Sequence, residues 1–103
     1  MYETVSREMM DFVQRSPSCF HAVSELAKML EQAGFIALQE SDVWKLQPGK
    51  SYYVTRNGSA VMAFRMPPEK PTGFMIAAAH SDAPTMKLKD IAELSDQNYV
   101  RLN

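Results

Sequence analysis

The chain opens with apolar residues Tyr2, Val5, Met9, Phe12 and Val13 recurring at helical spacing, with Glu3, Arg7, Asp11 and Gln14 between them. That pattern predicts an amphipathic helix that buries one stripe. Pro17 disfavours helical backbone at Ser16, so the helix should stop near Arg15. Ser18 then stands where a cap belongs. It precedes a second helix whose inner face reads Phe20, Val23, Ala27 and Leu30, with Leu26 alongside. Gly34 follows the last periodic residue and suits a left-handed stop.

Beyond Gly34 the helical period is lost. Phe35 to Leu38 reads as a short strand, and DVWKLQPGK reads as a bend with Trp44 and Leu46 tucked in. SYYVTRNGSAVMAFRM holds two β-rich runs around Asn57-Gly58, a pair that supplies the positive φ angles of a type I′ hairpin turn. PPEKPTG, from Pro67 to Gly73, cannot continue a ladder and predicts an exposed loop. GFMIAAAH follows, a continuous apolar run without alternation, which predicts a strand covered on both faces at the middle of an α/β sheet. MKLKDI alternates weakly, and NYVRLN has the look of a further strand. Two helices are few for such a sheet. The expectation is therefore an α/β fold in which residues 1–103 form the N-terminal segment of a single larger domain, without repeats or an internal boundary. A stand-alone domain should close its sheet, whereas a segment should leave a large apolar patch exposed.

Composition narrows the class. The 103 residues suit one small domain, and 46% hydrophobic with 22% charged residues is globular rather than disordered. A net charge of -1 and a pI near 6.1 give no electrostatic footprint for nucleic acid or an anionic membrane. No apolar run approaches the roughly 18 residues of a membrane span. Glu3, Arg7 and Glu8 interrupt any signal-peptide core. The single cysteine, Cys19, has no internal disulfide partner, which favours a reducing, cytoplasmic setting.

Candidate chemistry gathers at His80. Functional groups of open α/β sheets lie beyond the carboxyl ends of central strands, and His80 ends the most apolar run. A histidine can bind a metal through one ring nitrogen while a carboxylate takes the other N–H, which sets the tautomer. Asp82 is near enough to do this if the chain turns, and Pro84 favours a turn by restricting Ala83. His-x-Asp is too short to be specific, and a hydrogen-bonded histidine at a core edge is the plainer reading of the same spacing. His21, in the first turn of the second helix, is read as meeting the cap or solvent. Cys19 has no base or ligand near it in sequence and reads as a structural thiol. The eight methionines fall mostly on apolar faces and read as packing, and Lys87 and Lys89 read as solvated.

Four stretches together resemble one family. They are SPSCFHAV (Ser16 to Val23), Gly34-Phe35, W-x-L-x-x-G-x-x-YYVTRN (Trp44 to Asn57) and GFMIAAAHSDAPTMKLK (Gly73 to Lys89). In order and spacing, from about Ser6 to Lys89, they are similar to the opening of an aspartyl aminopeptidase of the M18 zinc metallopeptidases. The resemblance implies a cytosolic exopeptidase that removes amino-terminal, typically acidic, residues from peptides. It implies an α/β/α sandwich carrying an inserted β-rich domain, assembly into a homo-oligomeric dodecamer, and two zinc ions per subunit sharing a bridging water. By motif position His80 matches the family's first histidine metal ligand, and Asp82 matches the catalytic-site aspartate that supports it. Ala83 stands where a serine is common, and Cys19 at a position where the family varies.

The family's bridging carboxylate, general-base glutamate and second histidine come later than the matching stretch. A catalytic zinc normally takes three protein ligands, and a carboxylate must accept the water's proton. These 103 residues alone are therefore expected to lack peptidase activity and to bind zinc weakly. The competing expectation is a catalytically dead stand-alone domain that serves as an assembly or interaction module.

Overall fold

The computed structural model describes the backbone of residues 1–103 and every side chain except that of Asp96. Helix α1 spans Tyr2–Arg15 and α2 spans Cys19–Gln32, with the Pro17 corner between them. Ser18 is extended and caps α2, its Oγ accepting the His21 N–H at 3.4 Å. At the other end Gly34 takes φ +83°. The Gly34 N–H donates to the Glu31 carbonyl and the Phe35 N–H to the Leu30 carbonyl, each at 2.9 Å. This is the paired closure that left-handed glycine permits at a helix end.

Three strands form a mixed sheet in the order β1 (Ile36–Leu38), β2 (Ser51–Arg56), β3 (Ala60–Arg65). β1 lies parallel to β2 with Ile36 opposite Tyr52, and β2 lies antiparallel to β3 with Tyr52 opposite Phe64. The hairpin between β2 and β3 turns where Asn57 and Gly58 take φ 52° and 64°. Across this turn the Ser59 N–H donates to the Arg56 carbonyl at 3.1 Å. Asparagine and glycine tolerate that backbone better than other residues.

Parallel neighbours require a crossover, here residues 39–50, and it doubles as a cover. The Trp44 indole N–H donates to the Gln39 carbonyl at 2.7 Å, and its ring stacks on Phe64 with centroids 6.2 Å apart. Phe64 also meets Tyr52 at 5.8 Å, and the Gln47 N–H donates to the Tyr52 hydroxyl at 2.9 Å. On the opposite face α2 packs, and the Tyr53 hydroxyl donates to Glu31 at 2.6 Å. Strand β2 is thus paired along both edges and covered on both faces. Tyr52, Tyr53 and Val54 are buried there, and Ala22 and Val23 of α2 complete the buried core among the described residues.

Three expectations change. The apolar stripe of α1 is not buried: Val5, Met9 and Val13 are mostly exposed and only Phe12 is half-buried. α1 packs against α2, and one ion pair joins them near the corner. Arg15 Nε donates to Glu25 at 2.9 Å and Lys28 Nζ to the same carboxylate at 2.6 Å. Hydrogen bonds from Lys28 and then Arg15 hold the Glu25 carboxyl below its ordinary range.

The second change is larger. Residues 73–80 were expected to be a buried central strand, yet they form no strand pairing in the structure, and Phe74, Met75 and Ile76 are 91%, 103% and 85% exposed. A run apolar on both sides needs a layer on each, and the described residues place neither there. Third, a separate antiparallel hairpin, β4 (Glu93–Asp96) with β5 (Tyr99–Leu102), follows the run. β5 falls in the expected NYVRLN, whereas the short, polar β4 gave no alternation to read.

Candidate metal centre

The apolar run arrives at the tip of the β2–β3 hairpin, and a side chain holds it there. Ser81, half-buried, donates its hydroxyl to the Ser59 carbonyl at 2.7 Å. Ser59 belongs to the same turn as Gly58, where an added Cβ would lie 3.7 Å from the Phe20 ring. The N-terminal turn of α2, the hairpin tip and the residues around His80 are therefore neighbours.

His80 and Asp82 flank Ser81 and are both open to solvent, with side chains 76% and 73% exposed. His80 Nδ1 lies 2.5 Å from the Asp82 backbone carbonyl and 3.4 Å from the Asp82 carboxylate oxygen Oδ1. A carbonyl oxygen only accepts, so the close contact requires a proton on Nδ1. The lone pair of the neutral ring then resides on Nε2, the tautomer a metal ligand needs when its other nitrogen is anchored. The carboxylate expected to orient the ring is in place at longer range, and the carbonyl of the same residue is the nearer partner.

As a fit for zinc, His80 offers one imidazole donor. Among the described residues no group of three or more His, Cys, Asp or Glu side chains is arranged to hold a metal ion. His21 is engaged elsewhere, its Nδ1 2.8 Å from the Ser18 hydroxyl at the start of α2. Cys19, at the same helix end, is a half-buried free thiol. A shallow groove between α2 and the sheet, lined by Phe20, Val23, Ala27, Ala37, Tyr53 and Thr55, does not include His80. No described helix is long and apolar enough to cross a membrane.

Sequence reasoning singled out His80 and Asp82 and passed over Ser81, which joins the stretch to the sheet. A serine between them was visible. Its bond to a backbone carbonyl 22 positions earlier exists only once the hairpin has formed.

Comparison with known proteins bears on the whole chain. An aspartyl aminopeptidase of Dictyostelium discoideum is 39% identical over 103 residues, covering 98% of this chain and 21% of the relative. The cryo-EM structure of the Ape4 and Nbr1 complex superposes with a TM-score of 0.84 at 39% identity, over 97% of this chain and 20% of that one. The S. cerevisiae mApe1 dodecamer gives 0.56 at 33% identity, over 62% and 15%. The chain thus spans about a fifth of the length of that curated relative and of the matched chain in the Ape4 and Nbr1 complex. The family description aminopeptidase I zinc metalloprotease (M18) matches residues 12–103, and the chain belongs to that family.

Proposed function

We propose that this chain supplies the His80 corner of a zinc-dependent aminopeptidase that removes amino-terminal acidic residues from peptides. The observation that supports it is the His80 ring, with Nδ1 on the Asp82 carbonyl and Nε2 directed away from that bond, at the motif position of a family described as zinc metalloprotease. In this reading His80 Nε2 is a metal ligand, and Asp82 orients the ring through its carbonyl and carboxylate. Zinc, when bound, polarises the scissile carbonyl and makes a nucleophile available at neutral pH. No step is assigned to residues 1–103 beyond holding and orienting that donor, because the other donors of a two-zinc site are not grouped around it among the described residues.

The same proposal extends to the setting. Residues 1–103 form an N-terminal segment of one catalytic domain, in a cytoplasmic homo-oligomer, and the dodecameric mApe1 structure supports such assembly. The name of the Dictyostelium relative supports preference for an amino-terminal aspartate.

The test compares release of aspartate from an amino-terminal aspartyl peptide by the zinc-loaded intact protein, its His80→Ala variant and the isolated residues 1–103. The intact protein should turn over, and the other two should not. Activity retained in His80→Ala would remove His80 from the metal site. Turnover by the isolated segment would overturn the assignment of the remaining chemistry to other residues.

A further inference from the structure

Asn57-Gly58 serves the fold as a turn, and the same two residues carry a reactivity that the turn restrains. An asparagine side chain can be attacked by the backbone nitrogen of the residue that follows it. Glycine leaves that nitrogen unhindered, because it has no Cβ. Asn57 is exposed at the tip of the β2–β3 hairpin, where water reaches it freely. Asn98, also in a hairpin turn, precedes Tyr99, whose side chain crowds the corresponding nitrogen. The sequence thus singles out Asn57, and the structure sets when it reacts. The attack closes a five-membered ring that brings the Gly58 nitrogen alongside Asn57 Cβ. That ring needs an Asn57 ψ of about −120°, the first-position value of a II′ turn. With φ 52° and 64° the two residues have instead the backbone of a I′ turn, whose first ψ is about +30°. The Ser59 N–H closes this turn on the Arg56 carbonyl at 3.1 Å, and Gly58 lies beside the Phe20 ring.

We propose that Asn57 is a self-modification site gated by its own turn. Closed, the hairpin tip keeps the Gly58 nitrogen away from the side chain, and each opening exposes Asn57 to deamidation. In that step the Gly58 amide nitrogen gives its proton to hydroxide and attacks the side-chain carbonyl carbon of Asn57. A nitrogen–carbon bond forms, the bond to the side-chain nitrogen breaks, and ammonia leaves with a proton taken from water. Water then opens the cyclic imide at either carbonyl, giving aspartate or isoaspartate, with no change of oxidation state. Isoaspartate carries the main chain through its Cβ, one atom longer, so the tight reversal from Arg56 to Ser59 no longer closes. The lesion falls where three segments meet, since the same tip lies beside Phe20 and receives the Ser81 hydroxyl on the Ser59 carbonyl. The modification is irreversible, and it records how often the tip has opened. It stands apart from the reading of His80 as a metal ligand.

The experiment incubates the protein in mildly alkaline buffer, folded or unfolded in guanidinium chloride, and follows the peptides bearing Asn57 and Asn98 by mass spectrometry. The exchange of amide for acid gives the mass gain, and a methyltransferase specific for isoaspartate identifies the rearranged product. Asn57 should convert at least about tenfold more slowly in the folded protein than in the unfolded, a factor set by the contacts that hold the turn. In the unfolded chain it should outpace Asn98, and Gly58→Ala, which crowds the attacking nitrogen, should remove most of that lead. Because this variant is read only in denaturant, its ability to fold does not enter. Converted chains returned to native buffer should unfold at a lower denaturant concentration than unconverted ones. A folded-state rate at Asn57 equal to or above the unfolded rate would overturn the gate. Failure of Asn57 to outpace Asn98 in the unfolded chain would overturn the site itself. An unchanged unfolding midpoint in converted chains would show that the product rebuilds the turn, against the proposal.

Discussion

Two apolar stretches of this chain meet opposite fates. Tyr52-Tyr53-Val54 is buried to 4–6% exposure, while Phe74-Met75-Ile76 stands almost wholly in solvent. The second is the more apolar of the two and the more uninterrupted. The difference lies in what surrounds them. β2 has β1 and β3 on its edges, α2 over one face and the 39–50 crossover over the other. The 73–79 run has no strand paired to it in the structure. Burial belongs to the neighbourhood, and an apolar segment only offers area for it.

The comparison can be broken most directly by substitution within each stretch. Tyr52→Ala should cost about 3 kcal/mol, since it empties the space against Phe64 and leaves the Gln47 N–H without its acceptor. Ile76→Asp should change the stability of the 103-residue chain by no more than about 0.5 kcal/mol, the usual range for an exposed site. Urea unfolding measures both. A cost at Ile76 approaching that at Tyr52 would show that the run is covered in solution.

A smaller effect sharpens the β2 side. Tyr53→Phe deletes the bond to Glu31 and should cost about 1 kcal/mol. Glu31, by that hydrogen bond, raises the Tyr53 phenol above its ordinary value, with burial adding to the shift. A folded-state pKa above the unfolded one gives stability that is complete below the ordinary tyrosine value and lost as pH rises through the folded value. Wild type should therefore lose stability more steeply than Tyr53→Phe above about pH 10, as read by melting temperature across that range.

Ser18→Ala should cost about 1 kcal/mol by uncapping α2, although the long 3.4 Å contact places it toward the low end. Circular dichroism on thermal unfolding would register it.

The least stabilising contact is the one joining α1 to α2. Glu25 is depressed by Lys28 and Arg15, so its contribution is present above the ordinary carboxyl value and lost as pH falls through the lower folded value. Solvent-exposed ion pairs contribute little. Acidification should thus loosen α1 without unfolding the sheet, seen as faster amide exchange confined to α1. Glu25→Gln should show that looseness already at neutral pH. If acid instead melted β2 and α1 together, the two helices and the sheet would be one cooperative unit.

Local signals were legible wherever their physics is local. The Pro17 corner, the Ser18 cap, the Gly34 stop and the Asn57-Gly58 turn each depend on the φ preference or hydrogen bonding of one or two residues. Each lies where the sequence put it. The order of apolar and polar positions also marked α1, α2, β2 and β3 as elements, and His80 with Asp82 as the pair worth attention.

Tertiary structure alone decided which apolar surfaces are covered. The α1 stripe and the 73–79 run carry the periodicity or density of buried elements, yet burial is a property of two surfaces and a sequence window displays only one. It also decided how His80 is held. The carbonyl that Ser81 grips lies in a turn far back along the chain, and the partner nearest the ring is the Asp82 backbone rather than its side chain. Backbone carbonyls are the same in every residue, so composition and spacing carry no trace of which one a side chain will find.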